Sequence, residues 1–200
     1  MNAIAAEHKA FFYRKQQELA ENVVAHVAPA FEAGSRTVLV MTRPHLQYLN
    51  RRLSESDFDP DLLRTVCLLH EIDAEECLES FTISGVLNEA LFQQEISAVL
   101  TKGSATFTHA YGEMVDVLCQ RRRYDAAIEL EHMWNRLALR HPFSLLCGYN
   151  VNALGKTSPD DFLQSVCHTH SLVQPPTNAP EFALIRQTIH SVAGYGPVRA

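Results

Sequence analysis

Glu131 and Asn135 stand four residues apart, with Trp134 between them, in a stretch where Ala127, Leu130 and Leu137 recur at helical spacing. An acid and an amide on one helix face beside an indole can line a small-molecule pocket. They can equally anchor the helix by hydrogen bonds to a neighbouring strand. Glu113 is the second candidate. Its neighbours Ala110-Tyr111-Gly112 and Met114-Val115 are small or apolar, so its carboxylate should be partly desolvated, which raises a pKa unless a donor stands close.

Two further patterns look like chemistry and fall short of it. Gly155-Lys156-Thr157 has the ending of a phosphate loop, but Asn150 stands where the first glycine belongs. Cys167-His168-Thr169-His170 groups possible metal ligands, yet a site needs three or four. His109, His141 and Cys147 can join only if the fold brings them, so no metal or other cofactor is expected. Nothing pairs an evident nucleophile with a base. No catalysis is expected.

The elements that position these residues alternate between short apolar strands and amphipathic helices. Strands are expected at Ala10–Tyr13, Thr37–Met41, Thr65–His70, Thr106–Tyr111 and Phe143–Cys147. Helices are expected after each, with Gly34 stopping the first, Pro44 in the first turn of the second and Asp73 capping the next. Ser158-Pro159-Asp160-Asp161 reads as another helix start, and a last helix follows Pro180. This alternation implies a three-layer α/β fold: a mostly parallel sheet of about five or more strands, with helices on both faces. Ligands of such sheets bind beyond the carboxyl ends of the strands. Those ends carry Tyr13 and Arg14, Thr42 and Arg43, His70 and Glu71, Gly112 and Glu113, and Tyr149 and Asn150.

Composition narrows the function. With 46% apolar residues among 200, the chain fills one sizeable core. A net charge of −6 argues against direct nucleic-acid binding. The Arg121-Arg122-Arg123 run reads as a solvated helix end. No membrane-length apolar run or signal peptide is evident, and five cysteines without a CxxC pair suit reduced, buried thiols in the cytoplasm.

The segments His8–Tyr13, Asp73–Phe81, Ala110–Leu118, Ala126–Tyr149 and Val166–Pro175 resemble the MEDS domain. This is the sensory domain of the dichloromethane regulator and of related methanogen and methylotroph proteins. The Gly112-Glu113-Met114 triplet, the Glu131-to-Asn135 helix and the Pro142–Cys147 strand are the most specific parts. The resemblance implies a degenerate RecA- or KaiC-like domain without a phosphate loop, over residues 1–175, followed by a C-terminal helix and tail over 176–200. By position it marks His8, Phe12, Tyr13, Glu113, Glu131, Trp134, Asn135 and His170. It implies a non-catalytic sensor of small organic compounds that works with a histidine kinase or response regulator, in a form that can self-assemble. No kinase, receiver or helix-turn-helix pattern accompanies it, so the signal is expected to pass through a separate partner or the chain's own assembly. A residual nucleotide-binding ATPase-type protein and a purely structural oligomerisation domain are the competing readings. Trp134 is expected to be buried with its indole N–H hydrogen-bonded.

Overall fold

Phe11 and Phe12 are neighbours on one strand and belong to different cores, because successive side chains leave a strand on opposite faces. The computed structural model describes residues 7–101, 107–154, 161–174, 176 and 182–193. The first strand, β1 (His8–Tyr13), is followed by α1 (Gln16–Glu32), β2 (Arg36–Met41), α2 (Arg43–Ser54), α3 (Pro60–Thr65) and β3 (Leu69–Asp73). Next come α4 (Ala74–Ser80), a small hairpin of β4 (Thr82–Ile83) and β5 (Val86–Leu87), and α5 (Glu89–Leu100). The second half runs β6 (Thr108–Gly112), α6 (Met114–Gln120), α7 (Tyr124–Ala138), β7 (Phe143–Asn150), α8 (Val151–Leu154), α9 (Phe162–Thr169), β8 (Leu172–Val173) and α10 (Ala183–Ala193).

Six strands form one sheet in the order β3-β2-β6-β7-β1-β8, and every pairing is parallel. Phe11, Tyr13, Leu39, Met41, Tyr111 and Leu146 pack under α1, α2 and α3. Ala10, Phe12, Val38, Val40, Leu145 and Cys147 face the opposite layer, built mainly from α4 to α7 and α9. This is the expected three-layer architecture. The central strands β2 and β7 are almost wholly buried, as coverage on both faces demands.

Local signals explain most of the boundaries. Asp73 accepts N–H bonds from Glu75 and Glu76 and caps α4. Gly34 takes φ +64° at the turn into β2, where a side chain would be strained. The third strand differs from the expectation: it starts at Leu69, Thr65 ends α3, and Val66–Leu68 is the turn that leads into it. Asp59 and Pro60 supply a cap and a first-turn proline for α3, so the apolar residues after them finish a helix, and Cys67 turns the chain at φ +60°. Four features had no sequence expectation: the helices α3 and α8, the β4–β5 hairpin and β8. The strands of the hairpin and β8 are each two residues long. The Gly155-Lys156-Thr157 segment and the helix start at 158–160 lie outside the described residues. The last helix packs on α9, and its Ile185, with the preceding Phe182, joins the core.

Candidate functional site

Register decides what α7 meets. His8 pairs with Leu145 and Ala10 with Cys147, so His8 lies two positions along from Cys147 on the same sheet face. α7 packs against that face and places Glu131 beneath them. His170, just past the end of α9, closes the group from the side. All four side chains are buried. His8 Nε2 is 3.0 Å from Glu131 Oε2 and 3.4 Å from Cys147 Sγ. His170 Nε2 is 3.2 Å from Glu131 Oε1, and Cys147 Sγ is 3.6 Å from Glu131 Oε2. The Tyr149 hydroxyl donates to Glu131 Oε1.

A frame of outer hydrogen bonds fixes the two rings. His8 Nδ1 is 2.8 Å from Asn135 Oδ1, and Asn135 Nδ2 donates to the Thr169 carbonyl at 2.8 Å. His170 Nδ1 is 2.7 Å from the Val166 carbonyl. Ser171 clamps the backbone of His8 on both sides, donating to its carbonyl and accepting from its N–H. Burial alone would raise the Glu131 pKa, but His170 and His8 outweigh it and hold the carboxyl well below the usual range. Burial likewise opposes charge on His8, and Glu131 and Asn135 reverse the sign, raising its pKa. Burial pushes the Cys147 thiol up, helped by Glu131.

Beside this centre opens a cleft of about 460 Å³ at the amino-terminal end of β1 and β7. Trp134, Leu139, Phe143 and Leu145 give it apolar walls, and His8 and Asn135 line its inner side. Trp134 is buried as expected, edge-on to Phe92 and Phe143. Its indole N–H has no hydrogen-bond partner among the described residues, contrary to expectation. The ring spends its edges on aromatic packing and the cleft wall.

The carboxyl ends of the strands hold a separate group. Glu113 precedes α6 but does not cap it. Instead it accepts from the Thr42 backbone N–H at 2.8 Å and pairs with His45 Nδ1. It therefore ties the β6–α6 turn to the β2–α2 turn. Asp116, one turn along, accepts from the Tyr13 hydroxyl, Gln120 Nε2 and the Asn150 N–H, each at 2.8 Å. Burial, with Glu113 adding to it, raises the Asp116 pKa to about 6. Burial opposes charge on His45, and Glu113 outweighs it and raises its pKa. Farther out, Arg43 bonds Asp73, which ends β3; His70 and Glu71 sit within that strand rather than at its end.

The residues singled out in the sequence thus divide. His8, Glu131, Asn135 and His170 come together, Trp134 lines the adjoining cleft, and Tyr13 and Glu113 belong to the carboxyl edge. Phe12 packs on Tyr149 in the core between them. From the Cys167–His170 run only His170 joins the centre; His168 is exposed. Asp116, His45 and Ser171 had no assigned role, Cys147 was named only as a ligand the fold would have to bring, and Tyr149 only as a strand-end residue. The one sequence signal for these last two is their shared phase on β7, where Leu145, Cys147 and Tyr149 alternate toward α7.

These features define a parallel three-layer α/β domain with a buried ionisable centre beside an apolar cleft. The family model of the MEthanogen/methylotroph, DcmR Sensory domain (MEDS) matches residues 7–171, and the chain belongs to this family. No curated protein matches it. Membership in a family of sensory domains gives the chain a role in signalling. Among the described residues, no helix is long and apolar enough to cross a membrane.

Proposed function

We propose that the chain is a sensor without catalysis of its own, which takes a small, weakly polar organic molecule into the cleft beside Trp134. One observation carries this reading: the cleft's inner side is His8 and Asn135, and both are hydrogen-bonded or ion-paired into the buried centre. A molecule seated there touches groups that join β1, α7 and the end of α9, so binding biases the packing of three elements. Such a response requires different affinities for two arrangements of the domain. The apolar walls suit hydrocarbon-like groups, and His8 and Asn135, among the polar residues that line the cleft, suit one hydrogen-bonding function. The output partner in this reading is a histidine kinase or response regulator, met directly or through self-assembly.

Thermal unfolding in the presence of chloroalkanes, short alcohols and methylated amines tests the proposal. A molecule that binds the folded state at 100 times its Kd adds about 2.7 kcal/mol of apparent stability. Ala138→Phe, at the cleft rim, should abolish that gain while leaving the unliganded protein folded. If no compound in the panel raises stability, or if Ala138→Phe responds as the wild type does, the cleft is not the binding site.

A further inference from the structure

We propose that His8, Glu131, Cys147 and His170 together bind one divalent transition-metal ion, Zn²⁺ before others. Their donor atoms, two imidazole Nε2, one thiol Sγ and a carboxylate oxygen, all lie within 4.8 Å of one another. From one or other oxygen of Glu131, His8 Nε2 lies at 3.0 Å, His170 Nε2 at 3.2 Å and Cys147 Sγ at 3.6 Å, and His8 Nε2 is 3.4 Å from Cys147 Sγ. A tetrahedral ion with bonds of about 2.0–2.3 Å needs donors roughly 3.3–3.7 Å apart; these contacts fall near that range, and with the whole set within 4.8 Å the widest pairs close by up to about 1 Å on binding.

The tautomers point the same way. Asn135 offers Oδ1 to His8 because its amide nitrogen is committed to the Thr169 carbonyl. Nδ1 of His8 is therefore the donor, and a neutral ring turns a bare Nε2 lone pair to the centre. The Val166 carbonyl fixes His170 in the same way. A second group that takes the outer N–H and turns the other nitrogen inward is how proteins orient metal-binding histidines.

Protons alone leave the centre poorly satisfied. A protonated His8 would match Glu131, but His170 Nε2, fully buried 3.2 Å from Glu131 Oε1, is poorly aligned with it. A dication held by a thiolate, a carboxylate and two neutral imidazoles engages all four groups and sums to zero charge. The thiolate and imidazoles select a borderline-soft ion over Mg²⁺ or Ca²⁺. Four protein ligands make a closed site, whose work is to tie β1, β7, α7 and the end of α9 together. This inference is independent of what the cleft binds.

The test is metal content and cobalt spectroscopy on the full chain. Protein purified without chelator should carry one Zn²⁺ per chain. Stripped protein titrated with Co²⁺ should develop the intense visible bands of a tetrahedral site and a thiolate-to-cobalt charge-transfer band, saturating at one equivalent. Cys147→Ser should lose the charge-transfer band, and Asn135→Ala should weaken affinity about 10–100-fold through loss of the outer hydrogen bond. Cys167→Ser should change nothing. The proposal fails if the wild-type chain retains neither Zn²⁺ nor Co²⁺ after gel filtration, or if Cys147→Ser keeps the wild-type cobalt spectrum.

Discussion

Asp116→Asn should change how stability depends on pH, and the size of that change follows from the site. The wild-type carboxyl is fully buried, and its pKa rises from 3.8 to about 6, chiefly through burial. Its three donors, Tyr13, Gln120 and the Asn150 N–H, act against that rise without cancelling it. Because the folded value exceeds the unfolded one, the folded state binds more protons between the two values. Stability from this group therefore falls as pH rises from about 4 to about 6 and is flat above. Roughly two pKa units at 1.36 kcal/mol each give a fall of about 3 kcal/mol. Asparagine cannot titrate. It also keeps only one acceptor oxygen, so it should lose about 1–3 kcal/mol at every pH through an unsatisfied donor. Urea unfolding of both proteins from pH 3.5 to 7 separates the two effects: the offset is constant, and the slope belongs to Asp116. His45, whose pKa is raised above 6.5, titrates above the interval of about pH 4–6 in which Asp116 sets the slope, so the comparison is read there. Stability curves that run parallel across the window would refute the reasoning, because Asp116 would then ionise as freely in the folded protein as in the unfolded chain.

Other substitutions read other parts of the structure. Trp134→Ala should lower stability by about 3–5 kcal/mol in urea unfolding, since the ring is buried between Phe92 and Phe143; a change within about 0.5 kcal/mol would mean it packs against nothing. Gly148→Ala should lose about 1–3 kcal/mol, because the added methyl would meet the Tyr111 hydroxyl at 2.6 Å and the Phe11 ring at 3.0 Å. Adding Tyr111→Phe should recover part of that loss, and strict additivity in the double-mutant cycle would show that the hydroxyl is not the obstacle. Glu113→Gln should lose about 1.5–3 kcal/mol by weakening its bonds to Thr42 and His45. Cleft binding measured by calorimetry should stay within a factor of two or so of wild type; loss of binding at native stability would move the sensing role to Glu113.

The layers were legible because their signals are local. Alternating runs such as Phe11-Phe12-Tyr13, the Asp73 cap and Gly34 each act within a few residues, and the structure puts strands, a capped helix and a turn there. The third strand was misplaced because Thr65–Leu68 is as apolar as a strand, and the Asp59-Pro60 helix start, which settles the matter, comes six residues earlier. The site was legible only in part. Glu131 and Asn135 declare their common face by spacing alone. Nothing local says that His8, near one end of the chain, sits diagonally across from Cys147, because strand register across 139 positions is set by the whole sheet. Nor does the sequence say that Asn135 reaches the carbonyl at the end of α9, which is what seats His170 beside Glu131. At the carboxyl ends of the strands, the Glu113 carboxylate is occupied in joining two turns and the Tyr13 hydroxyl in bonding Asp116 of α6. The cleft lies at the other end of β1 and β7.

The sensing proposal is tested most directly by NMR of the indole N–H. The chain has one tryptophan, so Trp134 gives one indole resonance, and that ring forms a wall of the cleft. Titrating ¹⁵N-labelled protein with chloroalkanes, short alcohols and methylated amines should find at least one compound that shifts this resonance saturably. The shift should vanish in Ala138→Phe. An indole resonance unmoved by every compound, while the Thr42 amide beside Glu113 shifts and saturates, would place the binding site at the carboxyl edge and contradict the account.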